Sequence, residues 1–386
     1  MMWENAELSL IAEIGDGAHA SLKRVKSGIP YLTAKNITKN GISYSNIDFI
    51  SEETYEKYFK EKSNALTKPQ KNDILYSIIG SIGGVYCVKD EKIGISSSVA
   101  IIRANSELIF PQYLAYFLKS KFFEAQVQAI KGGVAQGFMS IEKLKNVNIL
   151  YPKNLDYQAK IVSILSAYDD LIESKQKQIK LLEEAAQRLY KEWFVDLRFP
   201  GYEKTPIIDG VPEGWSKGCV GDIAVFKRGK TITKTQIIEG NVPVVAGGIE
   251  PAYYHNKANT IAPVITVSAS GANAGFTKLY YNNVFASDCS FADAKTTSCL
   301  YYIYAFLKDN KLNIDALQKG SAQPHVYAKD INAMELIIPC KQLILDYCYC
   351  VSGIFSKIKI LLDQIKKLTE ARDRILPKLM SGKIEV

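Results

Sequence analysis

The feature that most constrains the fold of this chain is a helix-forming segment that occurs twice. Residues 181–194 read LLEEAAQRLYKEWF, and residues 367–380 read KLTEARDRILPKLM. When the two segments are aligned at an offset of 186 residues, Leu182, Glu184, Ala185 and Arg188 each match an identical residue. A repeat at this distance divides a chain of 386 residues into two halves of similar construction.

Both copies lie in longer segments that carry an apolar seam. Steps of four and three residues from Ile161 to Trp193 meet an apolar side chain at nine of ten positions, and so do the positions 186 residues later. This spacing is typical of coiled-coil packing, although each helix could instead close the core of its own domain. We predict that the two helices pack against each other. The predicted seam residues are Ile161, Leu165, Ile172, Ile179, Leu182, Leu189, Val351, Ile354, Ile358, Leu361, Ile365, Leu368 and Ile375.

The repeat extends into the segments between the helices. ILYSIIGSIGGV (74–85) parallels ITVSASGANAGF (265–276), which aligns Ser77 with Ser268, Gly80 with Gly271 and Gly84 with Gly275. Short β-branched runs, Gly-rich turns and helical stretches at 111–130 and 298–310 predict mixed α and β structure in both halves. The predicted fold is α+β: two globular mixed α/β domains (1–154 and 198–340) and two long antiparallel coiled-coil helices (155–197 and 341–386), with a pseudo-twofold, near-circular organisation.

The composition limits which kinds of partner, metal site and cellular compartment are expected for the chain. The net charge of +8 is compatible with a polyanionic partner without requiring one. Seven cysteines without a CxxC pair and three widely spaced histidines argue against a metal site and favour a reducing compartment. No signal-peptide pattern and no apolar run of membrane-spanning length is present. We therefore expect a cytoplasmic protein that does not bind a membrane.

Paired helices would hold two similar units at a fixed distance. At 1.5 Å per residue the seam from Ile161 to Trp193 would be about 48 Å long. At roughly 3.4 Å per base pair this corresponds to about 14 base pairs. Two units at this separation could read two half-sites about one turn of DNA apart, as dimeric DNA-binding proteins do.

The repeated segments resemble a known family. LLEEAAQRLYKEWFVDLRFPGYEK (181–204) and LTEARDRILPKLMSGKIEV (368–386) resemble the two spacer regions of the specificity (S) subunit of Type I restriction–modification systems. NDILYSIIGSIGGV and PVITVSASGANAGF resemble a segment of the target-recognition domains of that family. By this resemblance 1–154 and 198–340 are target-recognition domains, and 155–197 and 341–386 are spacer helices.

The resemblance implies a sequence-specific, non-catalytic subunit that reads a gapped, two-part site on double-stranded DNA. Its helices would dock two DNA adenine methyltransferase subunits, and ATP-dependent restriction (translocase and endonuclease) subunits can join. It implies no cofactor in this chain, because S-adenosylmethionine, ATP and Mg²⁺ belong to the partner subunits. One departure from the pattern is that Arg372 and Pro377 replace the equivalents of Ala186 and Lys191. Arg372 could face a partner subunit, or this end of the helix could be frayed.

The motifs of the partner enzymes are absent from the sequence. No Asn-Pro-Pro-aromatic or Asp-Pro-Pro-aromatic run is available to hold a flipped adenine, and no GxxxxGK[ST] loop is available for phosphates. We assign no catalytic residue. Two alternatives stay open, namely an interaction scaffold that does not bind DNA and the specificity subunit of a combined modification–cleavage enzyme.

Candidate DNA contacts are basic, amide, hydroxyl and glycine residues in loops, because these groups bind phosphates and base edges. The paired Gly-x-x-Gln segments at 133–136 and 320–323 are the strongest candidates. The two halves differ at the next positions, FMSI against HVYAKD, which predicts two different half-sites. The candidates are His19, Lys35, Asn36, Ser77, Gly80, Ser81, Lys131, Gln136, Lys227, Arg228, Lys230, Thr231, Ser268, Ser270, Lys319, Gln323 and His325.

Overall fold

The chain forms two compact units in a computed structural model that describes residues 2–38, 41–44, 46–61, 66–131, 138–320 and 323–386. Unit 1 comprises Met1–Glu173 and Lys366–Val386, and unit 2 comprises Ser174–Ile365. Each unit therefore contains one globular domain together with parts of both long helices.

The globular part of unit 1 is mixed α and β. Its helices are α1 (Leu8–Ile11), α2 (Glu52–Tyr58), α3 (Pro111–Leu118), α4 (Lys121–Lys131) and α5 (Ile141–Lys145). Its strands are β1 (Trp3–Glu7), β2 (Ala12–Asp16), β3 (Ile29–Leu32), β4 (Ile37–Thr38), β5 (Gly41–Ile42), β6 (Asp48–Ile50), β7 (Ile74–Ser77), β8 (Val85–Cys87), β9 (Gly94–Ile95), β10 (Val99–Ala104) and β11 (Asn148–Pro152).

The globular part of unit 2 is built in the same way. Its helices are α7 (Val220–Ile223), α8 (Leu300–Asp309), α9 (Lys311–Ala316) and α10 (Ala328–Asn332). Its strands are β12 (Ile207–Ile208), β13 (Val211–Pro212), β14 (Ser216–Cys219), β15 (Lys227–Arg228), β16 (Val242–Val245), β17 (Tyr253–His255), β18 (Val264–Ser268), β19 (Thr277–Tyr280), β20 (Phe285–Ala286), β21 (Cys289–Asp293) and β22 (Glu335–Ile338).

The sheets of the two units have matching strand orders. Unit 1 has a four-stranded sheet β2-β10-β7-β8 and a three-stranded sheet β6-β3-β9, and unit 2 has β15-β21-β18-β19 and β17-β16-β20. In both, a strand near the start of the domain pairs antiparallel with the strand that precedes the long helix, as β1 with β11 and β14 with β22. The predicted duplication of a mixed α/β domain is confirmed.

The two long helices are α6 (Leu155–Tyr190) and α11 (Lys341–Met380), and α6 continues into a π-helical turn, Lys191–Val195. The side chain of Asn154 accepts a hydrogen bond from the backbone N–H of Tyr157 (2.9 Å), which caps the first turn of α6. The helix α11 runs through Pro377 without a break. Of the two alternatives for this end of the helix, the structure does not show the frayed one.

Within each unit the two long helices pack antiparallel. In unit 2 the Tyr347 hydroxyl donates to the Ala186 carbonyl (3.1 Å), and the Lys175 ammonium donates to the Gln364 side chain (2.8 Å). Later residues of α11 thus contact earlier residues of α6, as antiparallel packing requires. In unit 1 the Arg372 guanidinium donates to the Asp169 carboxylate (2.6 Å). All thirteen predicted seam residues are buried or half-buried.

The seam also merges with the globular cores. Ile161 and Leu165 belong to the apolar core of unit 1 that includes α3 and α4. Val351 and Ile358 belong to the core of unit 2 that includes α8. Each long helix therefore closes the core of the domain that precedes it and also packs against the other helix, so the two interpretations of the apolar stripe both hold.

Candidate nucleic-acid interface

Four strand ends meet at one edge of the globular domain in unit 1. The strands β2 and β7 both run antiparallel to β10, so they end beside its first residue. The backbone N–H of Ile78 donates to the Ser98 carbonyl (3.0 Å), that of Ala18 donates to Ile95 (2.9 Å), and that of Ala34 donates to the Ser98 hydroxyl (2.9 Å). We call this set of loops the unit 1 edge; it comprises residues 17–20, 33–36, 77–84, 96–98 and 138–139.

The same loops meet in unit 2. The backbone N–H of Lys230 donates to the Ala286 carbonyl (2.9 Å), that of Ala269 to Asp288 (3.3 Å), and that of Val326 to Ala269 (3.0 Å). The unit 2 edge comprises residues 228–231, 246–248, 268–275, 286–288, 319–320 and 323–327. The bonds of Lys230 and Ala269 correspond to those of Ala18 and Ile78 in unit 1, and the bond of Val326 corresponds to that of Met139 to the Ile78 carbonyl (2.8 Å). The two edges are therefore equivalent positions of the repeat.

Four candidates of unit 1 are exposed at its edge. His19 has a ring nitrogen 2.9 Å from the Asp16 carboxylate, and 74% of its side chain is exposed. Lys35 and Ser81 are exposed in the loops that follow β3 and β7, as is Gly80. These groups are available to a ligand that approaches along the strand ends.

Three candidates are interior residues instead. The Asn36 side chain, 5% exposed, accepts from the Thr33 backbone N–H (2.9 Å) and donates to the Ser43 carbonyl (3.2 Å). The Ser77 hydroxyl donates to the Ser81 carbonyl (2.7 Å) and accepts from the Gly84 N–H (2.7 Å). The Ser268 hydroxyl donates to the Gly247 carbonyl (2.9 Å). These polar groups are used within the loops, so their role is to hold the edge in shape.

The candidates of unit 2 form a connected polar surface. The Ser270 hydroxyl donates to Asp288, and Arg228 lies 3.7 Å from the same carboxylate. Ser270 also pairs with His325 through a β-bridge. His325 in turn exchanges two backbone hydrogen bonds of 2.9 Å with Lys319. The carboxylate of Asp288 therefore holds the Ser270 hydroxyl and attracts the exposed Arg228 guanidinium, and both groups can bind phosphates or base edges.

Other candidates surround this surface. Lys227 is exposed on β15, one residue before Arg228, so the two side chains are directed to opposite faces of the strand. Lys230, Thr231 and Gln323 are exposed in the adjoining loops. The ammonium group of Lys319 lies 2.8 Å from Asp330.

Two candidates, Lys131 and Gln136, have side chains that lie outside the part of the chain that the structure describes. Gln136 and the rest of the segment 132–137 lie outside the described residues, as does the side chain of Lys131. That the first Gly-x-x-Gln segment contacts DNA therefore stays a prediction. The second segment begins at Gly320 (φ +94°), and its Gln323 is exposed.

Sequence reasoning missed four residues of the two edges. Asp288 carries no recognisable signal in its local sequence. Tyr327 stacks on the ring of His325, with centroids 6.0 Å apart. In unit 1 the apolar residues Ile79 and Phe138 pair through a β-bridge. The alignment of FMSI with HVYAKD already places Phe138 opposite His325, and this contrast could have identified it.

The glycine alignment of the two loops requires one correction. The N–H of Gly83 donates to the Ser77 carbonyl (3.2 Å), and that of Gly275 donates to the Ser268 carbonyl (2.9 Å). Both glycines have positive φ, at +104° and +86°. Gly83, and not Gly84, is thus the counterpart of Gly275, because the loop of unit 2 is one residue longer.

Two further properties bear on function. No helix in the described ranges is long and apolar enough to cross a membrane. Among the side chains that the structure describes, no three His, Cys, Asp or Glu residues are grouped in a way that could hold a metal ion.

The chain combines a duplicated mixed α/β domain, two paired long helices and an equivalent edge in each unit. Its sequence shows which class of protein has these features. Residues 2–184 and 212–346 match the family model of the Type I restriction modification DNA specificity domain. These residues make up most of the chain. The protein belongs to this family, the specificity subunits of type I restriction–modification systems.

Individual relatives agree with this assignment. The Type I restriction enzyme MjaIX specificity subunit of Methanocaldococcus jannaschii is 27% identical, over 100% of this chain and 94% of its own length. The HindI specificity subunit of Haemophilus influenzae is 23% identical, over 82% of this chain and 87% of its own. The crystal structure of the S subunit from M. genitalium matches with a TM-score of 0.56 and 18% identity, covering 98% of this chain and 96% of the other, and so shows the same fold.

Proposed function

We propose that the chain is the DNA-reading subunit of a type I restriction–modification complex, with each unit reading one half of a two-part, gapped duplex site. The observation that carries this proposal is the repetition of the edge. In both units the loops that follow equivalent strands meet at one place, held there by equivalent backbone hydrogen bonds. The polar and basic side chains of these loops differ between the units, so the two halves of the site differ as well.

The long helices take the second role in this proposal. We propose that α6 and α11 dock two DNA adenine methyltransferase subunits, and that restriction subunits join the assembly through them. The chain itself carries out no chemical step. S-adenosylmethionine, ATP and Mg²⁺ act in the partner subunits. This subunit selects the DNA sequence, and the complex acts in the cytoplasm.

The first experiment maps methylated adenines in host DNA by single-molecule sequencing, with the gene intact, deleted and restored. We expect one gapped, two-part motif to disappear on deletion and to return on restoration. Replacement of residues 198–340 by the corresponding domain of a relative should change one half of the motif only. A change in both halves, or no motif that depends on the gene, would contradict the proposal.

A binding experiment separates DNA reading from a scaffold role. Lys35→Gln and Lys230→Gln each remove one exposed ammonium group from an edge, so each should lower the slope of log affinity against log salt by about 1. The matched control is Lys295→Gln, an exposed lysine just beyond the opposite end of β21. A scaffold that does not bind DNA would show no salt-dependent binding to the mapped duplex in any of these forms.

A further inference from the structure

The unit 1 edge carries an exposed apolar surface that the fold does not need for its stability. Ile79 is 40% exposed and Phe138 is 56% exposed, and the two pair through an antiparallel β-bridge. The N–H of Met139 donates to the Ile78 carbonyl (2.8 Å), which fixes the segment of Phe138 against the loop that follows β7. Two large apolar side chains are thus held side by side at the surface by backbone hydrogen bonds.

The repeat shows that the fold does not depend on these side chains. The equivalent β-bridge in unit 2 joins Ser270 to His325, and the equivalent backbone bond joins Val326 to Ala269 (3.0 Å). The same backbone arrangement therefore forms with a hydroxyl and an imidazole in place of the apolar pair. Exposed apolar area adds no stability, and a paired patch of it at a binding edge indicates a binding role.

We infer that Ile79 and Phe138 read the C5-methyl group of a thymine in the major groove of the half-site bound by unit 1. This inference rests on the proposed function, and it states which chemical group of the DNA the unit 1 edge recognises. Thymine carries the one apolar group that base edges present in the major groove, and apolar side chains recognise it there. Ile79 shares its loop with Ser81, and that loop is hydrogen-bonded to residues 96–98, which also bond to Ala18 and Ala34 beside His19 and Lys35.

The geometry favours methyl contact over insertion between base pairs. A wedge that unstacks DNA needs a side chain that projects freely into the minor groove. Ile79 is more than half buried, and its backbone neighbour Ile78 is fully interior at 2% exposure. Ile79 therefore forms a low apolar platform, and the more exposed Phe138 is held beside it by the β-bridge.

Unit 2 presents the opposite chemistry at the same place. Its edge offers the Ser270 hydroxyl, the Arg228 guanidinium and the His325 ring, which read hydrogen-bonding groups. Sensitivity to a thymine methyl group at the β-bridge position should therefore appear in one half of the site only.

The test replaces each thymine of the mapped site, one at a time, by uracil, which keeps base pairing and removes the methyl group. The full chain is used in complex with its methyltransferase, and the half that stays unchanged when residues 198–340 are exchanged is assigned to unit 1. At one position in that half we expect about fourfold weaker binding, the value of one buried methyl group. Ile79→Ser combined with Phe138→His, which installs the side chains of unit 2, should abolish the difference between thymine and uracil.

The matched control is Leu10→Ser, an apolar residue of α1 that is 68% exposed and lies outside the edge; it should keep the uracil effect. A unit 1 half-site without thymine, uracil tolerated at every position, or an unchanged uracil effect in the double variant would each overturn the inference. A loss of DNA bending in the double variant without any uracil effect would assign the pair as a wedge, which also overturns it. If the motif itself does not depend on the gene, the proposed function fails first.

Discussion

The junction between globular domain and long helices is polar in unit 1 and aromatic in unit 2. In unit 1 the Asp169 carboxylate accepts from Arg372 (2.6 Å) and from the Tyr116 hydroxyl (2.7 Å). At the offset of the repeat, unit 2 has Phe355 and Ala186 in place of the ion pair. Phe355 is 2% exposed and stacks on Tyr301, with ring centroids 4.4 Å apart.

The two junctions therefore have the helices in the same places but differ in the type of interaction that joins them. Each lines a cleft of similar size, about 300 Å³ in unit 1 and about 350 Å³ in unit 2. Burial lowers the pKa of Arg372, but its bonds to Asp169 and Asp373 outweigh this and raise the pKa, so the guanidinium stays charged. Burial and the bond to Asp169 raise the pKa of Tyr116, so its hydroxyl stays a donor. Unit 1 thus depends on a network of partners, and unit 2 depends on packing.

The largest effect is expected for Phe355→Ala in unit 2. Removal of a fully buried ring leaves a cavity and should lower the free energy of unfolding by about 3–5 kcal/mol. Denaturant titration followed by tryptophan fluorescence measures this, since Trp193 and Trp215 both lie in the core of unit 2. Ile360→Ala, at a residue of the same helix that is 50% exposed, is the control and should change little. Equal losses for both variants would mean that the stack does not hold the junction.

Asp169→Ala should have a smaller effect in unit 1. It leaves the Tyr116 hydroxyl without its acceptor and leaves the half-buried Arg372 guanidinium with Asp373 alone, at a cost of about 2 kcal/mol. The cost stays below that of a fully buried pair because 23% of the Arg372 side chain and 31% of the Asp169 side chain contact solvent. Hydrogen exchange of α3 reports the loss. Asp170→Ala removes a neighbouring exposed carboxylate and should leave α3 protected; a similar loss there would indicate a general charge effect.

The side chains of the unit 2 junction can be placed in unit 1. Asp169→Phe together with Arg372→Ala removes both charges at once and fills part of the space with a ring. Well-packed apolar replacements of ion pairs are often nearly neutral, so the double variant should lose less than about 1.5 kcal/mol and be more stable than Asp169→Ala alone. The same exchange measurement decides this. A double variant less stable than the single one would show that Tyr116 needs its acceptor more than the junction needs packing.

The fold was predictable to the extent that it depends on periodic burial. The apolar spacing from Ile161 onward identified both long helices, because an apolar stripe has few ways to be buried. The pairing of Arg372 with Asp169 was not predictable, since the two residues are 203 positions apart and neither carries a local signal. An arginine on an apolar seam indicates only that some partner exists.

The candidate site was predictable at the level of loops and not of single side chains. The repeated Ser and Gly positions identified the loops after β7 and β18 as candidates, and the structure places these loops beside the loops that follow β2 and β15. The Asn36 amide can bind a base, but the same amide binds backbone groups equally well, so residue type alone does not separate the two roles. Ile79 and Phe138 carry no signal of this kind, because apolar residues are usually core. The loop of unit 2 is one residue longer, which shifts the glycine alignment.

The smallest expected effect concerns the serines that hold the two edges. Ser77→Ala removes a donor to Ser81 and leaves the buried Gly84 N–H without its acceptor, which should lower the local opening free energy by about 1 kcal/mol. Ser268→Ala removes one donor to the Gly247 carbonyl, which can turn to water, so about half that loss is expected. Hydrogen exchange in 77–84 and 268–276 measures both, with the exposed Ser81→Ala as the control. Equal losses in the two loops would mean that the second bond of Ser77 contributes nothing, and that the equivalent serines hold the two edges with equal strength despite their different partners.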